Sequence, residues 1–502
     1  KPDRDLQKII TIILKQKSAV RPRNIARAAI SLLKLDPILT KQLHQAQFSR
    51  ASQNLIEVIT ELDELPLLLE LMNICPLPDL ELEALLTNVR SAILSNILDI
   101  QDASAELLRF QSALALQCFT NEYIYNHSVE EEKGLRALEK IVKKALKNNK
   151  QPSPQVVLTL ASYKALNQYD WCNLLVTTDQ IKEVFSRQIE EPKKEEELKS
   201  HLRILGEVSD KVSSKVREQY EESPYPRWVD LGLHLKPLSI SKVVEEVGLK
   251  LHDYKINEVE NPKILVAGCG TGQHSIGTAT RFKSSKVLAI DLSISSLAYA
   301  KRKTDEFAIE NIEYMQADIL NLSELHKKFD IIESSGVLHH MDNPMAGWKV
   351  LTDCLKPGGL MRLGFYSELA RQDIVKIKEE INRQGIVTTD AKMKTFRDIV
   401  IKSEKDYHNQ LKNYTDFYSL SSLRDLLFHV QEHRFTVPQI KESLYKLGLK
   451  FCGFEVPETI AHFKITNPRP NDPYDLDKWH LFEKNNPRAF GGMYQFWCQK
   501  VK

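Results

Sequence analysis

From Pro262 onward, short β-rich runs alternate with helical ones, and this alternation narrows the possible folds more than any other feature of the chain. Residues 263–267, 286–291, 312–316, 329–334 and 360–366 read as strands, with helical patterns between them, for example at 293–307 and 345–355. Strands separated by helices pair side by side in a parallel sheet covered on both faces. After Tyr366 a polar, helical stretch runs to about Leu447, and strand-like runs return at 449–454 and 493–500. Insertions after the strands of such a sheet emerge beside its ligand crevice.

At 502 residues and 42% hydrophobic content the chain is too long for one core, and two to four domains of roughly 100–200 residues are expected. The first two hundred residues carry apolar side chains at three- and four-residue spacing, as in Ile9-Ile10-Ile12-Ile13 and Leu135-Leu138-Ile141-Leu146, with no consistent repeat. The charged run at 190–199 reads as the edge of this helical region. The expected division is a helical region at 1–200, a lead-in at 201–261, a core at 262–370, a helical insertion at 371–447 and closing strands at 448–502. Lys+Arg 69 against Asp+Glu 67 leaves +2, so no whole-chain field recruits nucleic acid or an anionic membrane. Seven cysteines without a C-x-x-C pair suggest neither a zinc cluster nor a disulfide framework, and the longest greasy stretch, 65–78, is too short to span a bilayer, so no membrane insertion is expected. A cytoplasmic protein is expected. A chain opening on Lys1 rather than Met leaves room for a trimmed leading segment.

Between the first strand and its helix lies Val266-Ala-Gly-Cys-Gly-Thr-Gly272. Gly268, Gly270 and Gly272 allow a tight turn and close approach of a ligand to the main chain. A dinucleotide fingerprint would place glycine at 273, where Gln273 stands. Asp291 closes the next strand, where a carboxylate can accept from both ribose hydroxyls, and Asp318 closes the third, facing an adenine amino group. A glycine turn alone serves structure as often as ligand binding; the turn followed by two acidic strand ends in this order is more specific.

This arrangement resembles the class I S-adenosylmethionine-dependent methyltransferases, over about 262–366 and the closing strands. The resemblance implies an α/β fold: a seven-stranded Rossmann-like core in the order 3-2-1-4-5-7-6, its seventh strand antiparallel, with an N-terminal all-α region and helical insertions. It implies S-adenosyl-L-methionine as cofactor and S-adenosyl-L-homocysteine as product. Gly268, Gly270 and Gly272 match the cofactor loop, Asp291 with Leu292 beside it the ribose position, and Ala317-Asp318-Ile319 the adenine contact. Glu333-Ser-Ser-Gly-Val-Leu-His339-His340 matches the segment facing the methionine end, with Glu333 where Asp or Asn is commoner. Tyr225 and Arg227 are candidates to clamp the methionine carboxylate, an arginine fork fitting it in bidentate fashion. His274 can reach the same group or cap its helix.

Four further motifs, Tyr220-Glu-Glu-Ser-Pro-Tyr-Pro-Arg-Trp228, Ser367-Glu-Leu-Ala-Arg371, Phe428-His-Val-Gln-Glu-His-Arg-Phe435 and Met493-Tyr-Gln-Phe-Trp497, resemble a bacterial methyltransferase branch often fused to tetratricopeptide helices. Within that branch the chain resembles the rickettsial protein-lysine methyltransferases acting on outer-membrane protein B. Implied partners are a lysine-bearing outer-membrane protein and a second copy of the chain, with no nucleic acid; the N-terminal helices would dimerise or dock substrate.

A lysine nucleophile is protonated at neutral pH, and freeing its lone pair from a pKa near 10.4 costs about 4–5 kcal/mol. Such a site calls for aromatic faces, proton acceptors and desolvation. His339, Tyr366, Tyr414, Tyr418 and His433 are the candidates to supply them, although aromatics of this kind also pack an insertion onto a core. Adjacent histidines at 339 and 340 without a repeated acid–histidine spacing do not suggest a metal centre. Two other readings stay open: a small-molecule N- or O-methyltransferase, and a non-catalytic helical adaptor that keeps cofactor binding.

Overall fold

The computed structural model describes residues 2–48 and 54–501, and the chain divides into two compact units. One comprises Lys1–Lys194, Arg227–Gly232 and Ile386–Leu426; the other comprises Glu195–Pro226, Leu233–Gly385 and Leu427–Lys502.

The first unit is helical. Its longer helices start where capping residues meet otherwise orphaned N–H groups. Asp79 accepts from Glu81 and Leu82 ahead of Leu80–Asn96, and Ser104 accepts from Leu107 ahead of Ala105–Thr120. Ser128 and Glu131 form a reciprocal capping box at the start of Val129–Lys147. Helix Asp390–Lys402 belongs here through Arg397, which is 2% exposed. Its guanidinium donates to both Glu83 carboxylate oxygens at 2.6 Å and to the Phe417 carbonyl at 2.8 Å. A buried guanidinium is tolerable only when so fully paired. The stretch expected as one insertion at 371–447 is therefore shared: Gln372–Arg383 stays with the sheet, and 386–426 joins the helical unit.

The second unit is built on eight strands: β1 Arg203–Leu205, β2 Lys263–Ala267, β3 Lys286–Asp291, β4 Ile312–Ala317, β5 Phe329–Ser335, β6 Leu355–Phe365, β7 Leu449–Phe454 and β8 Tyr494–Lys500. Their order is β1-β4-β3-β2-β5-β6-β8-β7, with β8 antiparallel to both neighbours and all other pairs parallel. Setting β1 aside, this is the order 3-2-1-4-5-7-6 with an antiparallel seventh strand. β1, an eighth strand beyond the seven expected, adds three residues to the outer edge of β4; three residues are too few for a strand pattern to show in sequence. Lys356-Pro-Gly-Gly359 lies inside β6 as an irregularity where the register with β5 shifts between Phe329 and Ile331.

Residues Ile264 to Ala267 of β2 are fully buried, as a strand covered on both faces must be. One face packs against Trp348, Leu351, Phe365, Phe496 and Trp479. The other packs against Leu297, Ala300, Phe282 and Trp497. The carboxyl ends of β2, β3, β4, β5 and β6 consequently share one edge, where ligands of open α/β sheets bind.

Candidate active site

Beyond β2 the chain is fastened to β3 by two hydrogen bonds: Gly268 and Cys269 N–H groups donate to the Ile290 carbonyl at 2.8 and 2.9 Å. Gly268, Gly270 and Gly272 all have positive φ, at 75°, 52° and 91°. At Gly268 a Cβ would lie 2.2 Å from Val337 Cγ2, and at Gly270 it would lie 2.7 Å from the Tyr225 carbonyl oxygen. Only glycine meets both the backbone conformation and the space. The Thr271 hydroxyl donates to the Pro226 carbonyl, so 225–226 forms one wall of the loop. Gly272 precedes helix Gln273–Arg281, whose partly positive N-terminus opens onto the loop.

Asp291, at the end of β3, accepts from Gly270 N–H at 2.8 Å and from Ser293 N–H at 3.0 Å, one on each carboxylate oxygen. Lone pairs remain on both oxygens for hydroxyl donors. Burial pushes this carboxyl above its ordinary pKa range, against the pull of the two N–H groups. Leu292 gives its carbonyl to the Gln316 side chain at 2.8 Å. Asp318 is buried after β4, and one of its oxygens accepts from Leu320 N–H at 2.9 Å, opening the short turn that begins with buried Ile319. Glu221 accepts from Ile294 and Ser295 N–H groups at 2.6 and 3.1 Å, and the Ser293 hydroxyl donates to the Tyr220 carbonyl at 3.0 Å. The conspicuous Tyr220–Trp228 motif thus caps the helix that follows Asp291, a role its composition did not suggest.

Glu333 lies on β5 and is 2% exposed. One of its oxygens accepts from His274 Nε2 at 2.7 Å and from the Thr278 hydroxyl at 2.6 Å. Burial alone would raise its pKa; the His274 contact, the Arg362 charge and the Thr278 bond outweigh it and hold the carboxyl at about 2. Arg362, on β6, sits 3.3 Å from the same His274 nitrogen and donates to Glu455 at 2.6 Å and to the Gln495 side chain at 2.5 Å. Arg281 and Trp497 also donate to Glu455, each at 2.8 Å. Sequence reasoning missed Arg362 and Glu455; a lone arginine inside the run Leu360-Met-Arg-Leu363 was the available signal. Arg227 falls in the helical unit, where it is ion-paired with Glu122 at 3.3 Å.

At the ends of the next two strands, β5 turns at Gly336 toward His339 and His340, and β6 ends beside Tyr366. The stretch at 429–435 is laid along both by main-chain bonds: His433 N–H to the His339 carbonyl at 2.7 Å, Phe435 N–H to the Tyr366 carbonyl at 2.9 Å, and Glu368 N–H to the Phe435 carbonyl at 2.8 Å. The His339 ring lies 4.3 Å from that of Tyr366, and His340 stacks on His429 at 3.6 Å. Gln431 meets both His340 (carbonyl to Nδ1, 2.6 Å) and His433 (side chain to Nε2, 3.0 Å). Arg371 lies over the Tyr366 ring at 3.7 Å and pairs with Glu432 at 2.8 Å, a carboxylate that also takes Lys378 at 2.8 Å. Burial pushes His339 down to about 3 and His429 to about 4, and His340 well below the usual histidine range, so all three rings are neutral near pH 7. Burial would raise Glu432, but Arg371 and Lys378 hold it at about 2.

Of the five expected catalytic residues, His339, Tyr366 and His433 come together. Tyr414 and Tyr418 are housed in the helical unit. There the Tyr418 hydroxyl donates to the Lys412 carbonyl at 3.0 Å with Arg397 and Arg27 over its ring, and Tyr414 precedes a turn at Thr415–Tyr418. Proximity in sequence to His429 and His433 carried them into the expected set.

Residues 264–359 match the family model described as a methyltransferase domain. With the strand order above, this makes residues 264–359 the core of a methyltransferase domain of the class I, S-adenosylmethionine-dependent kind. The residues present fit that cofactor: a cradle that a Cβ would fill, and carboxylates ending the second and third core strands. Among curated proteins, an uncharacterized protein of Synechococcus sp. is 30% identical over 210 residues, 39% of this chain and 49% of the relative. A ubiquinone biosynthesis O-methyltransferase of Acinetobacter baumannii is 26% identical over 146 residues, 29% of this chain and 58% of the relative. The chain thus spans about half the length of the curated relatives it matches. Among solved structures, PKMT2 from Rickettsia typhi aligns with a TM-score of 0.40 at 18% identity, over 55% of this chain and 54% of that one. No helix among the described residues is long and apolar enough to cross a membrane.

Proposed function

We propose that the protein is an S-adenosylmethionine-dependent N-methyltransferase acting on lysine side chains of a protein, an outer-membrane protein of a bacterium being the favoured substrate, and that it works as a cytoplasmic homodimer. The observation that carries the reading is the adjacency of two groups at one sheet edge. Val337, in van der Waals reach of Gly268 in the cofactor loop, stands two residues before neutral, buried His339, whose ring faces Tyr366. The free, largely buried cysteines suit a reducing compartment, and the chain's overall likeness to the rickettsial protein-lysine methyltransferases supports a protein lysine and a dimer.

Bound at the loop, the cofactor supplies an electrophilic methyl on a sulfonium centre. The Gly268–Gly272 backbone and Asp291 would hold the nucleoside, Asp318 would face the base, and His274, oriented by Glu333, would serve the methionine end. The protein's remaining work is to align the amine and exclude water. A cationic lysine entering beside neutral His339 and the cations Arg371 and Lys378 gives up its proton more readily than in water, because desolvation and like charges disfavour the ammonium. The Tyr366 ring offers the amine an aromatic face.

The test is incubation with methyl-labelled S-adenosylmethionine and a denatured bacterial outer-membrane protein. Label on lysine is expected, and Tyr366→Phe is expected to slow transfer about 100-fold or more, the low end for a proton-handling group, without weakening cofactor binding. Label confined to small metabolites would instead make the chain a small-molecule methyltransferase, and tight cofactor binding without transfer would make it an adaptor.

A further inference from the structure

β7, the far edge strand of the sheet, ends beside a cavity of about 440 Å³, within the size range of small-ligand sites. β5, β6 and β8 separate β7 from β2, and no residue of the 268–272 loop lines the cavity. Its apolar lining comes from Phe454, Ile460 and Trp479 and from Pro468, Pro470 and Pro473. The segment carrying these prolines is stiff. Each proline fixes its own φ, the Trp479 indole N–H donates to the Pro473 carbonyl at 2.9 Å, and the Arg469 main-chain N–H donates to Asp472 at 3.0 Å. The Tyr474 hydroxyl ties the same segment to the Gly248 carbonyl at 2.8 Å. A cavity held in this way is formed before a ligand arrives, which lowers the ordering cost of binding.

The polar lining has one sign. Lys464 and Arg469 line the cavity and are exposed, and no carboxylate lines it. Neither cationic group has an ion-pair or hydrogen-bond partner among the described residues. Asp472, the acid that feels the Arg469 charge, is already ion-paired with Lys478. Carbonyls at the ends of the two neighbouring helices are used as well: Gly248 by Tyr474, and Phe463 by the Asn467 main-chain N–H at 3.1 Å and side chain at 3.2 Å. Lys250, 5.7 Å from the centre of the Tyr474 ring, adds a third positive charge nearby. Apolar walls beside two unpaired cationic donors complement an anionic group on an apolar body. We propose that this cavity binds a small carboxylate with an aromatic or branched apolar body, Lys464 and Arg469 holding the carboxylate while the body fills the space beside Phe454 and the prolines. A free acid and the carboxyl terminus of a peptide present this same chemistry.

The experiment is a fluorine NMR titration of the full chain with para-fluorophenylacetate. Saturable binding is expected, weakened about 10-fold or more when Lys464→Gln and Arg469→Gln are combined, the low end for losing hydrogen bonds to charged groups. Lys464→Arg with Arg469→Lys, which keeps both charges, is expected to restore much of it. Ile460→Phe, which fills the cavity and keeps both cations, is expected to abolish binding, and the para-fluorophenethylamine cation is expected not to bind wild type. No saturable binding, equal affinity without the two cations, or unchanged affinity in Ile460→Phe overturns the proposal. Peptides ending in phenylalanine separate the two sources: displacement of the probe by the free-ended peptide and not by its amide assigns the site to a chain terminus, and displacement by free acids alone assigns it to a small metabolite. S-adenosylhomocysteine affinity is expected to be unchanged in the charge-deleted variant, so the outcome stands apart from the methyl-transfer reading.

Discussion

Gly270→Ala is expected to weaken S-adenosylhomocysteine binding at least about 30-fold, from the roughly 2–3 kcal/mol that the substitution costs the loop. The left-handed φ of 52° penalises any Cβ, and the added methyl would sit 2.7 Å from a backbone oxygen, Tyr225 O, that has no rotamer by which to withdraw. The loop must then move off the 225–226 wall, and the Gly270 N–H leaves Asp291, so the Asp291 carboxylate loses its orientation as the cradle opens. Gly277→Ala, in the helix that follows, has nothing within 4 Å of the new methyl and is expected to bind like wild type. Calorimetric titration of both variants decides the matter; affinity within threefold of wild type in Gly270→Ala would show that the cofactor does not use this loop.

Acidification from pH 7 to 5 is expected to cost the sheet-bearing unit about 2 kcal/mol for each of His339 and His429. In the unfolded chain these rings take up a proton near pH 6.5, whereas in the fold burial holds them neutral to about 3 and about 4. Their contribution is therefore complete above pH 6.5 and is lost progressively as pH falls toward 4. His340, stacked on His429 at 3.6 Å, adds to the same window, since a proton on either ring sets charge against a buried neighbour. Glu432 and Glu333, both held at about 2, contribute stability that is lost only below their unfolded values near 4.3; the two windows are separable. Urea unfolding at pH 7, 6 and 5, followed by tryptophan fluorescence, measures the slope. His429→Gln should flatten it by about 1.4 kcal/mol per pH unit. A slope of zero in wild type, or one unchanged in His429→Gln, would mean that these histidines are not buried as neutral rings.

How much of this was legible beforehand depended on whether the cause was local. The seven core strands showed as β-rich runs because most of their residues are buried, and Gly268, Gly270, Gly272, Asp291 and Asp318 stood out because they sit at strand ends in fixed order. What the sequence hid depends on long-range partners. Arg397 meets Glu83 across 314 positions, so nothing near residue 397 showed that 386–426 would leave the sheet for the helical unit. Tyr414 and Tyr418 looked catalytic by their company with His429, and the chain's path, not its composition, separates them. Glu368 with Arg434 and Arg371 with Glu432 carried opposite charges in two conspicuous motifs, a signal that could have paired them. Arg362 was visible only as one charge in an apolar strand, and its partners His274 and Glu455 come from opposite ends of the core.

The most direct test of the account is a crystal soaked with S-adenosylhomocysteine. Density is expected across the carboxyl ends of β2, β3 and β4, with the ribose hydroxyls on Asp291, the adenine beside Asp318 and the sulfur directed toward His339 and Tyr366. Density at another place on the chain, or none at a concentration that saturates binding in solution, would contradict it.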